Sequence, residues 1–263
     1  MVPSDSVTPD SVTPESVTPE SVAVIADSHL GGPGGEAAPL VEQLREVAAA
    51  GCRRVVLLGD IFHVWVALPG FETPEVRAVL AAVAELRRQG VRVEYVEGNR
   101  DFFVGSGPYR EDFDAVVLET SFEVGGRRFL AVHGDGLNDR DYQYRFWRWL
   151  SKSPPTRWAV RLIPRALSRR WIHATDRRLS RTNFKHKREI PEAVIRAYGE
   201  RRLAEGYDVL VLGHFHEPRR WTVDGGEVWL LDAWFNSRRV ELPGPVELPG
   251  TGPEAANPSD SKP

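Results

Sequence analysis

Five short polar motifs in this chain carry residue types that bind divalent metal ions: Asp27-Ser28-His29, Gly59-Asp60, Gly98-Asn99-Arg100-Asp101, His133-Gly134-Asp135 and His214-Phe215-His216. Carboxylate, carboxamide and imidazole groups together suit a hard or borderline divalent cation. Any one of these motifs is common by chance. Five in succession, each directly behind an apolar run, are not. Residues so far apart in sequence can share an ion only if the fold brings them to one small volume.

The apolar runs supply the means. Val22 to Ala26, Arg54 to Leu58, Val91 to Val96, Phe129 to Val132 and Val209 to Leu212 are short, β-branched and aliphatic. Such runs suit strands buried on both faces. In an open α/β sheet, ligands bind beyond the carboxyl ends of the strands, and all five motifs fall there. Helices are predicted over 36–50, with Leu40, Leu44 and Val47 on one face, and over 74–89, with Pro74 near the start and Gly90 closing the end. A third helix, 191–205, leads to the last of the five strands. Val223 to Val228 reads as a hairpin turn before a strand over 229–234.

The connection between His133 and His214 is too long for a simple crossover. From Arg140 to Ile190 it holds 15 Lys or Arg against 3 Asp or Glu, in a chain whose net charge is −3. Phe146, Trp147, Trp149, Leu150, Trp158, Val160, Leu162 and Trp171 are interleaved with the basic residues, at spacings compatible with amphipathic helices interrupted at Pro154, Pro155 and Pro164. On the residues alone, three uses stay open. The segment could be a solvated helical pair packed on the core, a nucleic-acid surface, or a lid facing an anionic lipid interface.

With 263 residues, 41% of them hydrophobic, the chain has material for one buried core. Residues 6–20 repeat Ser-Val-Thr-Pro-Asp/Glu three times, and the first twenty carry no basic residue. Segments 1–20 and 241–263 are expected to be disordered, the first acidic and the second Pro-rich. The start lacks the basic and apolar regions of a secretory signal. Cys52 is the lone cysteine and fits a reducing compartment. No run approaches the roughly 20 apolar residues of a membrane-spanning helix. The expectation is a cytoplasmic protein, peripheral on the inner face of the cell membrane through its basic segment.

The order and content of the motifs resemble the calcineurin-like metallophosphoesterases, from Val22 to about Val240. The resemblance implies an αββα sandwich over 21–240, with 138–190 as a basic, Trp-rich helical lid. It also implies two divalent ions, most naturally Mn2+: one held by Asp27, His29 and His216, the other by Asn99, His133 and His214, with the Asp60 carboxylate between them. A catalytically silent module that kept the fold is the alternative, against which the completeness of the ligand set argues.

Within that superfamily, Gly98-Asn99-Arg100-Asp101-Phe102 resembles the bacterial UDP-2,3-diacylglucosamine diphosphatases of lipid A synthesis. So do Gly59 to Phe62 with Trp65, His133 through Asp141 to Tyr144, His214 to Pro218, and Leu231 to Trp234. Arg100 stands where many superfamily members carry a His. Arginine stays charged, so it is a poor general acid but a strong phosphate clamp. It suits a leaving group that needs no proton, such as a phosphate monoester expelled from a pyrophosphate, better than an alcohol released from a cyclic nucleotide or nucleic acid. By resemblance Asn99, Arg100 and His214 serve catalysis and touch the phosphates, Asp141 and Asn183 hold the glucosamine or lipid part, and the place of the family's substrate-binding lysine falls on His186, with Lys187 next to it; on the residues alone Asp141 could equally cap a helix or pair with a nearby arginine. His63 and Phe215 depart from the family pattern, which has an acidic residue and a small Thr at those places.

Overall fold

The computed structural model describes residues 21–33, 35–138, 141–162 and 190–244. Segment 1–20, all but the first residues of 241–263, and the insertion beyond Leu162, with Asn183, His186 and Lys187, lie outside the described residues.

In chain order the elements are β1 (Val22–Ile25), α1 (Ala37–Ala49), β2 (Arg54–Leu57), β3 (Trp65–Val66), α2 (Pro74–Arg88), β4 (Arg92–Val96), β5 (Asp101–Phe102), β6 (Ala115–Val117), β7 (Glu119–Val124), β8 (Arg127–Val132), α3 (Tyr142–Ser151), α4 (Pro154–Leu162), α5 (Glu192–Leu203), β9 (Val209–Leu212), β10 (Arg219–Val223), β11 (Gly226–Leu230) and α6 (Trp234–Ser237). The first sheet runs β1-β2-β4-β6, all parallel; the second runs β10-β11-β9-β8-β7, with a parallel centre and antiparallel edges.

Side-chain alternation assigns the layers, because successive residues of a strand face opposite sides. Val22, Val24, Val56 and Leu58 meet Phe129, Ala131, Val209 and Val211 between the two sheets. Ala23, Ile25, Val55 and Leu57 face α1 and α2. On the far side, Leu210, Leu212 and Leu130 pack with Ile195 and Leu203 of α5. The result is the expected α/β architecture of helix, sheet, sheet and helix.

Three boundaries differ from the reading of the sequence. The hairpin turn is confined to Asp224 and Gly225, between β10 and β11. The strand expected over 229–234 ends at Leu230, and Trp234 instead enters the short helix α6 and is buried with the first core. The core also reaches past residue 240: Glu241 exchanges two backbone hydrogen bonds with Val24, at 2.8 and 3.0 Å, and Leu242 packs on the first core.

Candidate metal centre

The five motifs follow the carboxyl ends of β1, β2, β4, β8 and β9, where the chain must turn at once. Asp27, His29, Asp60, His214 and His216 all adopt left-handed backbone conformations, with φ between 47° and 68°. Among the described residues only Phe103, Asp224 and Arg238 join them outside glycine. Each such residue costs about 1 kcal/mol or more, so backbone strain concentrates at the expected ligands. Glycine is required beside them at two places. A Cβ on Gly59 (φ 76°) would lie 2.5 Å from His133 Nδ1, and one on Gly98 would lie 2.3 Å from an Asp60 oxygen.

Two groups of donor atoms result. In the first, His216 Nε2 lies 3.1 Å from Asp27 Oδ1 and 3.2 Å from His29 Nε2, and His29 Nε2 lies 3.7 Å from Asp27 Oδ1. Ligands about 2.1 Å from one ion stand roughly 3.0 to 3.4 Å apart at right or tetrahedral angles, so the triangle has the size of a coordination face. In the second, the donors of Asp27, Asp60 and His133 converge, all three residues buried. Asn99 Oδ1 lies 3.3 Å from His133 Nε2. The His214 ring stands edge-on to that of His133, with centroids 5.3 Å apart, and its backbone N–H donates to Asp27 Oδ2 at 2.7 Å. Asp27 is the carboxylate common to both groups.

Tautomer and charge both ask for a cation. His133 Nδ1 lies 2.9 Å from the Leu58 carbonyl, which can only accept, so Nδ1 carries a proton. The neutral imidazole then aims the Nε2 lone pair at the oxygens of Asn99 and Asp60, at 3.3 and 3.7 Å. Burial favours that neutral form, yet the charges of Asp60, Asp27 and Asp135 push the imidazolium up to about 9. Burial also drives the Asp60 carboxyl upward, against the charge of His133; Asp27 adds to the rise and Arg100 opposes it. Burial acts on Asp27 in the same sense, but the His216 hydrogen bond and the charges of His133, His216 and His29 outweigh it and hold the group below the usual carboxylate range. The pocket is thus short of positive charge at the point where the donors meet. Divalent ions fit it, and would leave His133 neutral.

Behind the ligands stand residues whose bracing roles the motifs do not reveal. Asp101 is fully buried and accepts from the backbone N–H groups of Asp60 (3.0 Å) and Gly98 (2.7 Å) and from the Tyr95 hydroxyl (2.8 Å). Burial, then the Asp60 charge, push its carboxyl up to about 7. Asp101 thereby ties the Asp60 turn to the Gly98–Arg100 turn. The pairing of β3 with β5 pins the same turn from the other side, and Trp65 closes over it in an aromatic cluster with Phe62, Tyr95 and Phe113. The only signals for these roles in the sequence were the acidic residue inside Gly98 to Asp101 and the tryptophan behind Gly59-Asp60.

Arg100 lies over the site. Its Nε stands 3.6 Å from Asp60 Oδ2 and its Nη1 donates to the His63 carbonyl at 3.0 Å, which places the departure at His63 beside Arg100. Phe215 packs edge-on against His214. Asp141 is exposed and caps α3, its carboxylate accepting from Tyr144 N–H at 2.9 Å.

The chain belongs to the calcineurin-like phosphoesterase family, whose model matches residues 21–218. It is a hydrolase of that metallophosphoesterase class, and the family and the donor set together call for divalent metal ions. Among curated proteins it is similar to the UDP-2,3-diacylglucosamine hydrolase of Ralstonia nicotianae, at 33% identity over 81% of this chain and 83% of that protein. The enzymes of the same name from Azotobacter vinelandii and Aeromonas salmonicida are 30% and 28% identical, over 74% and 90% of this chain and 81% and 98% of theirs.

Proposed function

We propose that the chain hydrolyses the pyrophosphate of UDP-2,3-diacylglucosamine to UMP and 2,3-diacylglucosamine 1-phosphate, using two Mn2+ ions. The observation that carries this reading is the pair of donor groups sharing Asp27 at the strand ends, with an arginine rather than a histidine laid over them. The names of the relatives supply the substrate.

Asp27, His29 and His216 would hold one ion and Asn99, His133 and His214 the other, with Asp60 between. When bound, such ions lower the pKa of a coordinated water and neutralise charge on a phosphoryl group. In the reaction a water oxygen bonds to the α-phosphorus and the bond from that phosphorus to the bridging oxygen breaks. Arg100 holds the phosphate charge as it shifts, with Asn99 and His214 beside it. The departing sugar phosphate leaves as a stable anion, so arginine's inability to give up a proton costs nothing.

The insertion supports a lipid substrate. Tyr142, Phe146, Trp149, Trp158 and Leu162 on α3 and α4 are all more than 60% exposed, beside basic residues. Such a face suits acyl chains and an anionic headgroup layer. Among the described residues no helix is long and apolar enough to cross a membrane, so the contact would be peripheral. The deciding experiment follows UMP release from UDP-2,3-diacylglucosamine in detergent, with and without Mn2+, for wild type beside Asp60→Ala. Mn2+-dependent UMP that vanishes in the variant is expected. A metal-loaded wild type that releases no UMP but cleaves a generic phosphodiester would discard the substrate and keep the class.

A further inference from the structure

The insertion helix α3 has two faces with different partners. Tyr144, Arg148 and Lys152 follow each other at intervals of four, so they form one stripe. Tyr142, Phe146 and Trp149 form another, turned to solvent. The polar stripe does not merely touch the core; it grips the two loops that lead into the second donor group. Lys152 Nζ donates to the Gly98 carbonyl at 2.8 Å, one residue before Asn99, and stands 3.7 Å from the Glu97 carboxylate. Arg148 pairs with Asp135 at 3.2 Å, two residues after His133, and its other terminal nitrogen donates to the Glu97 carbonyl at 3.4 Å. The Tyr144 hydroxyl donates to the same Asp135 carboxylate. Both acidic partners are largely buried, with side-chain exposures of 5% for Asp135 and 12% for Glu97. Asp27 and His29 follow β1 and His216 follows β9, on loops other than the two that Tyr144, Arg148 and Lys152 hold.

We propose that Arg148 and Lys152 are positioning residues that set the loops carrying Asn99 and His133, so that the seating of the insertion and metal affinity at the second donor group are linked. The inference rests on the metallohydrolase reading. It makes the loops of Asn99 and His133 dependent on α3, whereas His29 and His216 are carried by the loops after β1 and β9. By reciprocity, an occupant that shifts α3 changes affinity for the ion, and the ion stabilises the seated helix.

The test is calorimetric titration of the full chain, stripped by chelator, with Mn2+ alone, paired with thermal unfolding of each protein. A His29→Ala background isolates the event at Asn99 and His133; an Asn99→Ala background isolates the other. Lys152→Met and Arg148→Met are expected to weaken the first event by about tenfold or more, the usual effect of removing a group that orients a metal ligand, and to leave the second unchanged. Lys152→Arg, which keeps the charge and a donor, should recover most of the loss. Unchanged isotherms in both Met variants would overturn the proposal. So would equal weakening of both events together with a lowered unfolding temperature, the mark of general loosening. A wild type that takes up no Mn2+ would overturn the metallohydrolase reading itself, and the inference with it.

Discussion

Two clusters of buried charge sit at opposite ends of the same strand. At the start of β2, Arg54 meets Glu94 at 2.9 Å, and its guanidinium also donates to Thr120 (3.0 Å) and to the Ser121 carbonyl (2.9 Å); Glu94 further accepts from Arg92 and Thr120. Beyond the end of β2, Asp60 faces Asp27, His133 and Asn99. The first cluster matches each acceptor with a donor from the protein. The second gathers acceptors and leaves them short of charge. Buried ionic groups are tolerated when paired and costly when not; the contrast therefore separates a place that closes the fold from one built to receive something.

The contrast can be broken by mutation at either end. The largest effect is expected for Asp60→Ala, which should lower metal-dependent turnover about a thousandfold, the scale of several kcal/mol of transition-state charge stabilisation, with a circular dichroism spectrum like that of wild type. Glu94→Ala should do the reverse. Leaving Arg54 buried without its carboxylate should cost about 3 kcal/mol in denaturant unfolding, while turnover per folded molecule stays near wild type. A metal-free comparison sharpens the point: Asp60→Asn should hold or gain stability without added ions, because burial and the Asp27 charge both disfavour the Asp60 carboxylate. A loss as large as that of Glu94→Ala would erase the distinction between the clusters.

The smallest effect concerns pH. Burial raises the Glu94 carboxyl, but hydrogen bonds from Thr120 and Arg54 and the Arg54 charge outweigh it, so the folded value lies below the ordinary 4.5. A depressed acid adds stability that is complete above its unfolded value and disappears as pH falls through the folded one. Wild type should therefore lead Glu94→Gln by a constant margin above about pH 5, and the margin should shrink as the pH drops below 4.5. A margin that grew toward acid would contradict the assignment.

The sequence showed the open cluster and hid the closed one. Asp27, Asp60, His133 and His216 were legible because each follows a run whose apolar content already marks a strand, and strand ends in such sheets converge. Arg54 and Glu94 lie inside two of those runs, where a charged residue reads as a solvent-facing position; only the stacking of the second sheet brings Thr120 and Ser121 over them. Asp101 and Asp135 were visible inside motifs, but whether they face an ion or brace a loop depends on backbone geometry that no spacing records. The same holds for Asp141, whose carboxylate caps a helix. Leu231 to Trp234 continued an apolar run, and composition alone could not show that Trp234 is buried from a helical turn rather than from the sheet.

The two-hydrogen-bond bridge between Val24 and Glu241 has a consequence of a different kind. Among the described residues β1 forms the border of its sheet, and its Val-Ala-Val-Ile run is an apolar template with one side paired there by no long strand. Such borders recruit strands from other molecules unless something occupies them. Glu241 occupies this one at its middle, with its carboxylate held by Arg220 at 2.7 Å, and a charge fixed there deters a neighbouring chain from adding on. The residues just after the last core element thus act as a guard against self-association, on the strand that also delivers the carboxylate shared by both donor groups.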